Sequence, residues 1–416
     1  MTTATHKIPL GYKQTDIGVI PADWDVKRLG DIVQFNNGKA HERFINDKGN
    51  YVVVNSKFIS TEGEVFKTSD KNLSPLFEGE VVMVMSDIPH GRALAKCFFI
   101  RENGKYTLNQ RICSFKSINS DSLYLFYKLN RNKYFLDFDS GVGQTNLRRI
   151  EVLDCPVAIP SNKKEQSAIA TALSDSDALI EKLEKLIEKK KNIKQGAMQE
   201  LLTGKRRLPG FSDKWDVKKV GDIGKPYGGL SGKVKGDFGA GNSSYIPFMN
   251  IMSNPIIDST YLDVVNIRPG ENQNEAQKGD LFFNGSSETP EEIGMCSVLL
   301  TEISNLYLNS FCFGFRLNQE LKTDGLFFSY YFRSSVGRQL IFSLAQGAIR
   351  YNLSKTNFLK LEIPYPKPEE QSAIATVFYE MDAEIEKLES QLTKYKNLKQ
   401  GMMQVLLTGK IRLLSK

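Results

Sequence analysis

The chain has 416 residues, 41% hydrophobic, 10% aromatic and 25% charged, which is room for two domains of ordinary size with real cores and excludes a disordered chain. The net charge of +7 and pI near 8.9 tilt the protein mildly towards a polyanionic partner, just short of the pI of about 9 that flags a nucleic-acid domain outright. Five scattered cysteines, Cys97, Cys113, Cys155, Cys296 and Cys312, form no CxxC pair, which argues against a disulfide framework or a zinc site and for buried thiols in a reducing compartment.

The opening MTTATHKIPLGYKQTDIG has no apolar signal core, and no run approaches the roughly 18 apolar residues of a membrane span. The expectation is a soluble, cytoplasmic chain with no membrane partner. From about residue 20 to 160, short β-rich runs such as Tyr51-Val52-Val53-Val54 and Glu80-Val81-Val82-Met83-Val84-Met85 alternate with Gly, Asn, Asp and Ser clusters. A helix is predicted near 121–136, then the loop Gly141-Val142-Gly143-Gln144-Thr145-Asn146-Leu147 and a strand ending at Pro160.

Residues 165–208, EQSAIATALSDSDALIEKLEKLIEKKKNIKQGAMQELLTGKRRL, return as residues 370–413, EQSAIATVFYEMDAEIEKLESQLTKYKNLKQGMMQVLLTGKIRL. The offset is 370 − 165 = 205 without a gap, and about 29 of the 44 positions are identical. Trp24-Asp25-Val26-Lys27-Arg28-Leu29-Gly30-Asp31-Ile32 likewise returns as Trp215-Asp216-Val217-Lys218-Lys219-Val220-Gly221-Asp222-Ile223. Between these markers little matches beyond Gly79-Glu80-Val81-Val82 facing Gly279-Asp280-Leu281-Phe282, and Leu108-Asn109 facing Leu308-Asn309. A duplicated frame with diverged filling suits a scaffold that holds two readers of different targets.

The second half repeats the order: a strand near 280–283, a helix near 324–342, Gly347 to Leu353, and a strand ending at Pro364. Each repeated helix carries a heptad stripe, Ile180, Leu183, Ile187, Ile193, Ala197 and Leu201 in the first, with Lys190 at its edge. The second has Met381, Ile385, Leu388, Leu392, Tyr395, Met402 and Leu406, interrupted at Lys399 beside Leu398. So long a stripe needs a partner, and the obvious one is its twin; Ile180, Leu183, Ile187, Ile385, Leu388 and Leu392 are the candidate partner-binding residues. Coil lysines Lys182, Lys185, Lys189, Lys191 and Lys194 read as a solvated or protein-binding face. Because only about ten residues join the first helix to the second domain, and that domain exits directly into the second helix, the helices must run antiparallel. The expected architecture is α+β: domains at 1–160 and 209–364, helices at 161–208 and 365–416, arranged as a pseudo-two-fold repeat with a globular domain at each end of a coiled coil.

Catalytic furniture is sparse. Three histidines, His6, His41 and His90, are too few for a repeated dyad, and Asn284-Gly285-Ser286-Ser287 stands without histidine where the first half has Ser86-Asp87-Ile88-Pro89-His90-Gly91-Arg92. Gly228-Gly229-Leu230-Ser231-Gly232-Lys233-Val234 fails as a phosphate loop on glycine spacing and on Val234 in place of Ser or Thr, and reads as a flexible basic loop. What remains is polar, Arg-bearing loops: Arg92; Gln144, Asn146, Arg148 and Arg149; and in the second half Ser286, Arg350, Tyr351 and Asn352. Arg, Gln and Asn are the types that make bidentate contacts with guanine and adenine edges, which makes these the candidate DNA-binding residues.

With these parts assembled, nearly the whole chain resembles the specificity subunit of a type I restriction–modification enzyme. The resemblance rests on the two Trp…Gly-Asp-Ile openings, the Glu-Gln-Ser-Ala-Ile-Ala entry to each helix, and Lys-Gln-Gly…Met-Gln…Leu-Leu-Thr-Gly-Lys at each exit. It implies two target-recognition domains, each reading half of a bipartite site in double-stranded DNA. The coils would set the spacing and dock two methyltransferase subunits, and restriction subunits would join them. Partner subunits would carry S-adenosylmethionine, ATP and Mg2+, leaving this chain with no cofactor, no metal and no catalytic residue. Two other readings fit the same parts: a specificity component of a related modification system, and a coiled-coil adaptor whose end domains bind proteins.

Overall fold

A computed structural model describes residues 8–88, 91–346 and 351–413. The chain divides into two units: one holds the residues up to Leu183 together with those from Gln391 onward, the other Glu184–Ser390. Both long helices therefore contribute to both units. They span Lys163–Leu201 and Pro368–Leu406, 39 residues each, about 58 Å at 1.5 Å per residue. Their limits repeat at the 205-residue offset of the sequence repeat.

In the first unit the central sheet runs Val33–Asn37, Ile112–Ser117, Val81–Val84, Cys97–Phe99. In the second it runs Gly224–Gly228, Cys312–Leu317, Leu281–Asn284, Cys296–Val298. Strand order and antiparallel pairing are the same although the sequences have diverged. Each sheet is covered on both faces, which is why its inner strand is an unbroken apolar run. Val81 and Met83 face a core that includes Trp24, Tyr124, Ile169, Leu173 and Leu406, while Val82 and Val84 face Phe58, Ile59 and Leu108. Leu281 and Phe283 likewise join Phe313, Phe328, Leu201 and Phe378, while Phe282 joins Ile246, Ile251 and Leu306 on the other side.

Within each unit the long helices pair antiparallel. In the first, Asp177 binds Lys399 and Ser176 Oγ meets Met402 Sδ at 3.7 Å. In the second, Lys190 reaches Glu384, at 2.7 Å, and Lys194 binds Asp382. Leu183, Ile187 and Ile385 are buried in this pairing; Ile180, Leu388 and Leu392 are half-buried. Much of the apolar surface of Leu183, Ile187 and Ile385 is covered within the chain, while Ile180, Leu388 and Leu392 keep part of theirs open. Ile193 departs from its expected place in the stripe: it is 48% exposed, and Lys194 turns inward in its stead because Asp382 offers it a carboxylate. The heptad count could not show that a charged pair would take an inward position.

Two other elements depart from expectation. The helix expected at 121–136 is two, Ser122–Leu129 and Lys133–Leu136, broken where Arg131 adopts a positive φ of 56° and Asn132 caps the second helix through Tyr134 N at 3.0 Å. The helix expected at 324–342 is also two, Gly325–Arg333 and Ser335–Phe342, because the Ser334 hydroxyl caps the second through Gly337 N at 3.2 Å. Short polar side chains that compete for backbone N–H groups end helices that periodicity alone would continue.

Candidate nucleic-acid interface

Each unit carries a small antiparallel ladder where the inner strand of the central sheet leaves the core. It has two strands in the first unit and three in the second, where Ala345–Gln346 pairs with the other edge of Tyr351–Leu353. In the first unit Ser86–Asp87 pairs antiparallel with Thr145–Asn146, Ser86 opposite Asn146. In the second, Ser286–Ser287 pairs with Tyr351–Leu353, Ser286 opposite Asn352. The same Ser–Asn register thus recurs on matching scaffolds. Asn146 and Asn352 are exposed, while Ser86 and Ser286 are 8% and 9% exposed.

In the first unit Gln144 Nε2 donates to Ser86 Oγ at 2.6 Å, so Gln144 and Asn146 both converge on Ser86. The Asp87 carboxylate accepts from the backbone N–H groups of Ile88, Ala93 and Leu94 at 2.9, 2.7 and 3.0 Å, tying those three residues to the end of the strand. Gly91 is required there, since a Cβ would sit 2.2 Å from Asp87 Oδ2. Arg92 projects exposed from this loop. Arg148 and Arg149 stand apart from Ser86 in their contacts. Arg148 forks onto Glu151 three residues on, at 2.5 Å, and the Arg149 guanidinium lies 5.4 Å from the ring centre of Phe35. Pairing with Arg148 and backbone bonds hold the Glu151 carboxyl below its usual range.

In the second unit the buried Asn284 side chain accepts from Met295 N at 2.6 Å and donates to Glu292 O at 3.0 Å, pinning the loop that follows the ladder. That loop carries Glu288, Glu291 and Glu292, with Ser287 Oγ donating to the Glu292 carboxylate at 3.1 Å. The matching loop of the first unit carries Arg92. Tyr351 is half-buried opposite Ser287. Arg350, Gly347, His90 and His6 lie outside the described residues.

Lys233 is not the free cation of a basic loop: its ammonium is buried, 2.5 Å from Glu271 and 2.7 Å from Asn266 O. His41 is also internal, its ring nitrogens 2.6 Å from Lys39 O and 2.8 Å from Thr107 Oγ1. All five cysteines are buried and free; burial pushes Cys155 and Cys312 up to about 12. Among the described residues no cluster of His, Cys, Asp and Glu could hold a metal ion, and no helix is long and apolar enough to cross a membrane. The turns at Asn109–Ile112 and Asn309–Cys312 adjoin the ladders, and the matching Leu108-Asn109 and Leu308-Asn309 are their signal in the sequence.

Comparison with known proteins agrees with this duplication. A family model described as the type I restriction modification DNA specificity domain matches residues 21–195 and again 212–394. A putative type I restriction enzyme MjaX specificity subunit of Methanocaldococcus jannaschii is 25% identical over 96% of this chain and 96% of its own length. The type I restriction enzyme MjaVIII specificity subunit of the same organism is 23% identical, with 94% of each chain covered. The fold resembles that of the S subunit of a type I restriction-modification system from M. genitalium, with a TM-score of 0.59 and 16% identity over 92% of this chain and 96% of that one. A second solved chain, from a study of complex assembly and conformational transition in a type I R-M system, gives a TM-score of 0.54 and 14% identity over 94% and 99%.

Proposed function

The chain belongs to the type I restriction–modification DNA specificity family, and on that premise we propose that each of its two units reads one half of a bipartite site in double-stranded DNA. The observation that carries this reading is the repeated ladder: Ser86 opposite Asn146 and Ser286 opposite Asn352, on scaffolds of the same strand order. Exposed carboxamides match adenine edges in the major groove. Different neighbours, Arg92 in one unit and Glu288, Glu291 and Glu292 in the other, give the two readers different preferences. The paired long helices set the spacing of the half-sites and dock two methyltransferase subunits, with restriction subunits joining that assembly. Those partners supply S-adenosylmethionine, ATP and Mg2+ chemistry, and this chain supplies the address.

The test exchanges one reader. Residues 24–160 are replaced by the equivalent segment of another family member, the chimera is assembled with methyltransferase subunits, and the modified sequences in a host genome are mapped. One half of the target should change and the other persist; a change in both halves sinks the two-reader scheme. Binding of the unaltered assembly to DNA should also weaken steeply with salt. A chain that binds no DNA with its partners present is an adaptor instead.

A further inference from the structure

Each unit presents an exposed side chain at an equivalent turn beside the ladder that the reading above does not use. In the first unit the turn between strands Tyr106–Leu108 and Ile112–Ser117 closes with Ile112 N donating to Asn109 O at 3.0 Å. In the second, the turn between Leu306–Leu308 and Cys312–Leu317 closes in the same way, Cys312 N to Asn309 O at 3.1 Å. The residue before each closing N–H is Arg111 in one unit and Phe311 in the other. Its carbonyl accepts the backbone N–H at the foot of the ladder: Met85 N at 3.1 Å, Gly285 N at 2.9 Å. The next bond leads to the strand that carries the asparagine, Leu147 N to Met85 O at 2.8 Å and Leu353 N to Gly285 O at 3.0 Å. Turn, serine strand and asparagine strand are therefore consecutive rungs. At about 4.8 Å per strand they span about 10 Å, within the roughly 12 Å width of the DNA major groove.

The two residues at this shared position differ in chemistry but not in exposure. Arg111 is exposed and lines an open cleft of about 310 Å³ with Lys57, Lys67 and Gln110. The carboxylate in that cleft, Glu42, accepts from Gln110 Nε2 at 2.7 Å, so three cations face one anion. Phe311 is 56% exposed, whereas Phe313 and Phe315 on the strand it leads into are 1% exposed. A single exposed aromatic is ordinary on any surface. This one occupies the place where the sister unit puts an arginine beside its ladder, and both residue types have a known match on base edges.

We propose that this turn position is a base-reading site in each unit, Arg111 taking a guanine and Phe311 the methyl group of a thymine. The arginine fork matches guanine O6 and N7, and an apolar side chain packs on the thymine C5-methyl. The inference rests on the DNA-reading function proposed above and names which base each half of the target contains at this rung.

The full-length chain, assembled with methyltransferase subunits, is challenged with a randomised duplex pool, and the bound fraction is sequenced. R111F should lose guanine discrimination at one position of one half-site by roughly tenfold to a hundredfold, with every other position unchanged. R111K keeps the charge without the planar fork and should lose a smaller part of that discrimination than R111F while the salt dependence stays. F311R should exchange thymine for guanine at one position of the other half-site, and F311L should retain thymine. Thermal melts matching the parent protein establish that the variants fold. Unchanged base preferences, or weakening that is uniform over all sequences, overturn the inference. If the unaltered assembly selects no sequence at all, it is the DNA-reading function itself that fails.

Discussion

Asp177 and Lys399 are 222 residues apart in the chain and form an ion pair in the first unit, where Asp177 also accepts from the Tyr127 hydroxyl at 2.7 Å. Asp382 and Lys194 repeat the arrangement in the second unit, with the Tyr330 hydroxyl 2.8 Å from Asp382. Each triad ties a domain helix to both long helices. Because the carboxylates are only 38% and 34% exposed, Asp177→Asn or Asp382→Asn should each cost about 1–2 kcal/mol. A double-mutant cycle of Asp177→Asn with Lys399→Met should return a coupling of about 0.5–1.5 kcal/mol. Additive effects would show that the pair is a bystander. Hydrogen exchange should locate the loosening from Asp177→Asn in the first unit.

A deeper pair lies at the end of the chain. Arg412 binds Glu165 at 2.6 Å and Asp23 at 2.8 Å, its guanidinium 5.8 Å from the Trp24 ring centre. Arg207 repeats this on Glu370 with Trp215, whose Nε1 donates to Glu370 at 2.9 Å. The Glu165 and Glu370 side chains are 1% and 2% exposed. Arg412→Ala therefore leaves a buried carboxylate short of its cation and should cost about 3 kcal/mol. The replacement Arg412→Met with Glu165→Gln should recover much of that in denaturant titrations. A loss under 0.5 kcal/mol for the single variant would contradict the account.

Glu80 and Asp280 occupy the same place in the repeat but differ in their partners. Asp280 accepts from Arg316 at 2.7 Å and from the Tyr227 hydroxyl at 2.6 Å. Glu80 is 4% exposed, its Oε2 has no hydrogen-bond partner, and desolvation raises its carboxyl above the usual value of 4.5. The folded state therefore holds the Glu80 proton to higher pH than the unfolded state does, so stability falls as pH rises from about 4.5 through the raised value. Glu80→Gln should abolish that slope and stabilise the protein at pH 7 by about 1 kcal/mol. Asp280→Asn should destabilise it instead, since Arg316 loses its counter-charge. Melting curves between pH 4 and 7.5 compare the two.

Lys128 is half-buried as a residue, and its ammonium turns inward to donate to Leu407 O at 2.6 Å, next to the C-terminal end of the second long helix. Desolvation pushes its ammonium down to about 8 from an ordinary 10.5. Between those values the unfolded chain binds more protons than the folded one, so this group makes stability rise with pH across that window. Below about pH 8 both states are protonated and the contribution is constant. The difference in melting temperature between the parent protein and Lys128→Met should therefore widen in favour of the parent from pH 8 to 10. A difference independent of pH would show that Lys128 does not lose its proton there.

Much of the frame was legible in the chain itself. A helix depends on residues three and four apart, so the duplicated segments announced two equal helices, and Lys163–Leu201 and Pro368–Leu406 are those helices. Val81–Val84 was readable as a strand because a strand covered on both faces must be apolar throughout. Connectivity alone implied that the helices pair antiparallel. The tertiary structure decided everything carried by pairs distant in sequence: Arg412 on Glu165, Lys399 on Asp177, and Lys194 turning inward where Ile193 was expected. A charged side chain reads as exposed until its counter-charge, about two hundred residues away, is brought beside it. The shared sheet order of the two interiors was equally hidden, because burial constrains the polarity of a strand and leaves its identity free, so two sequences can diverge almost completely and still close over the same core.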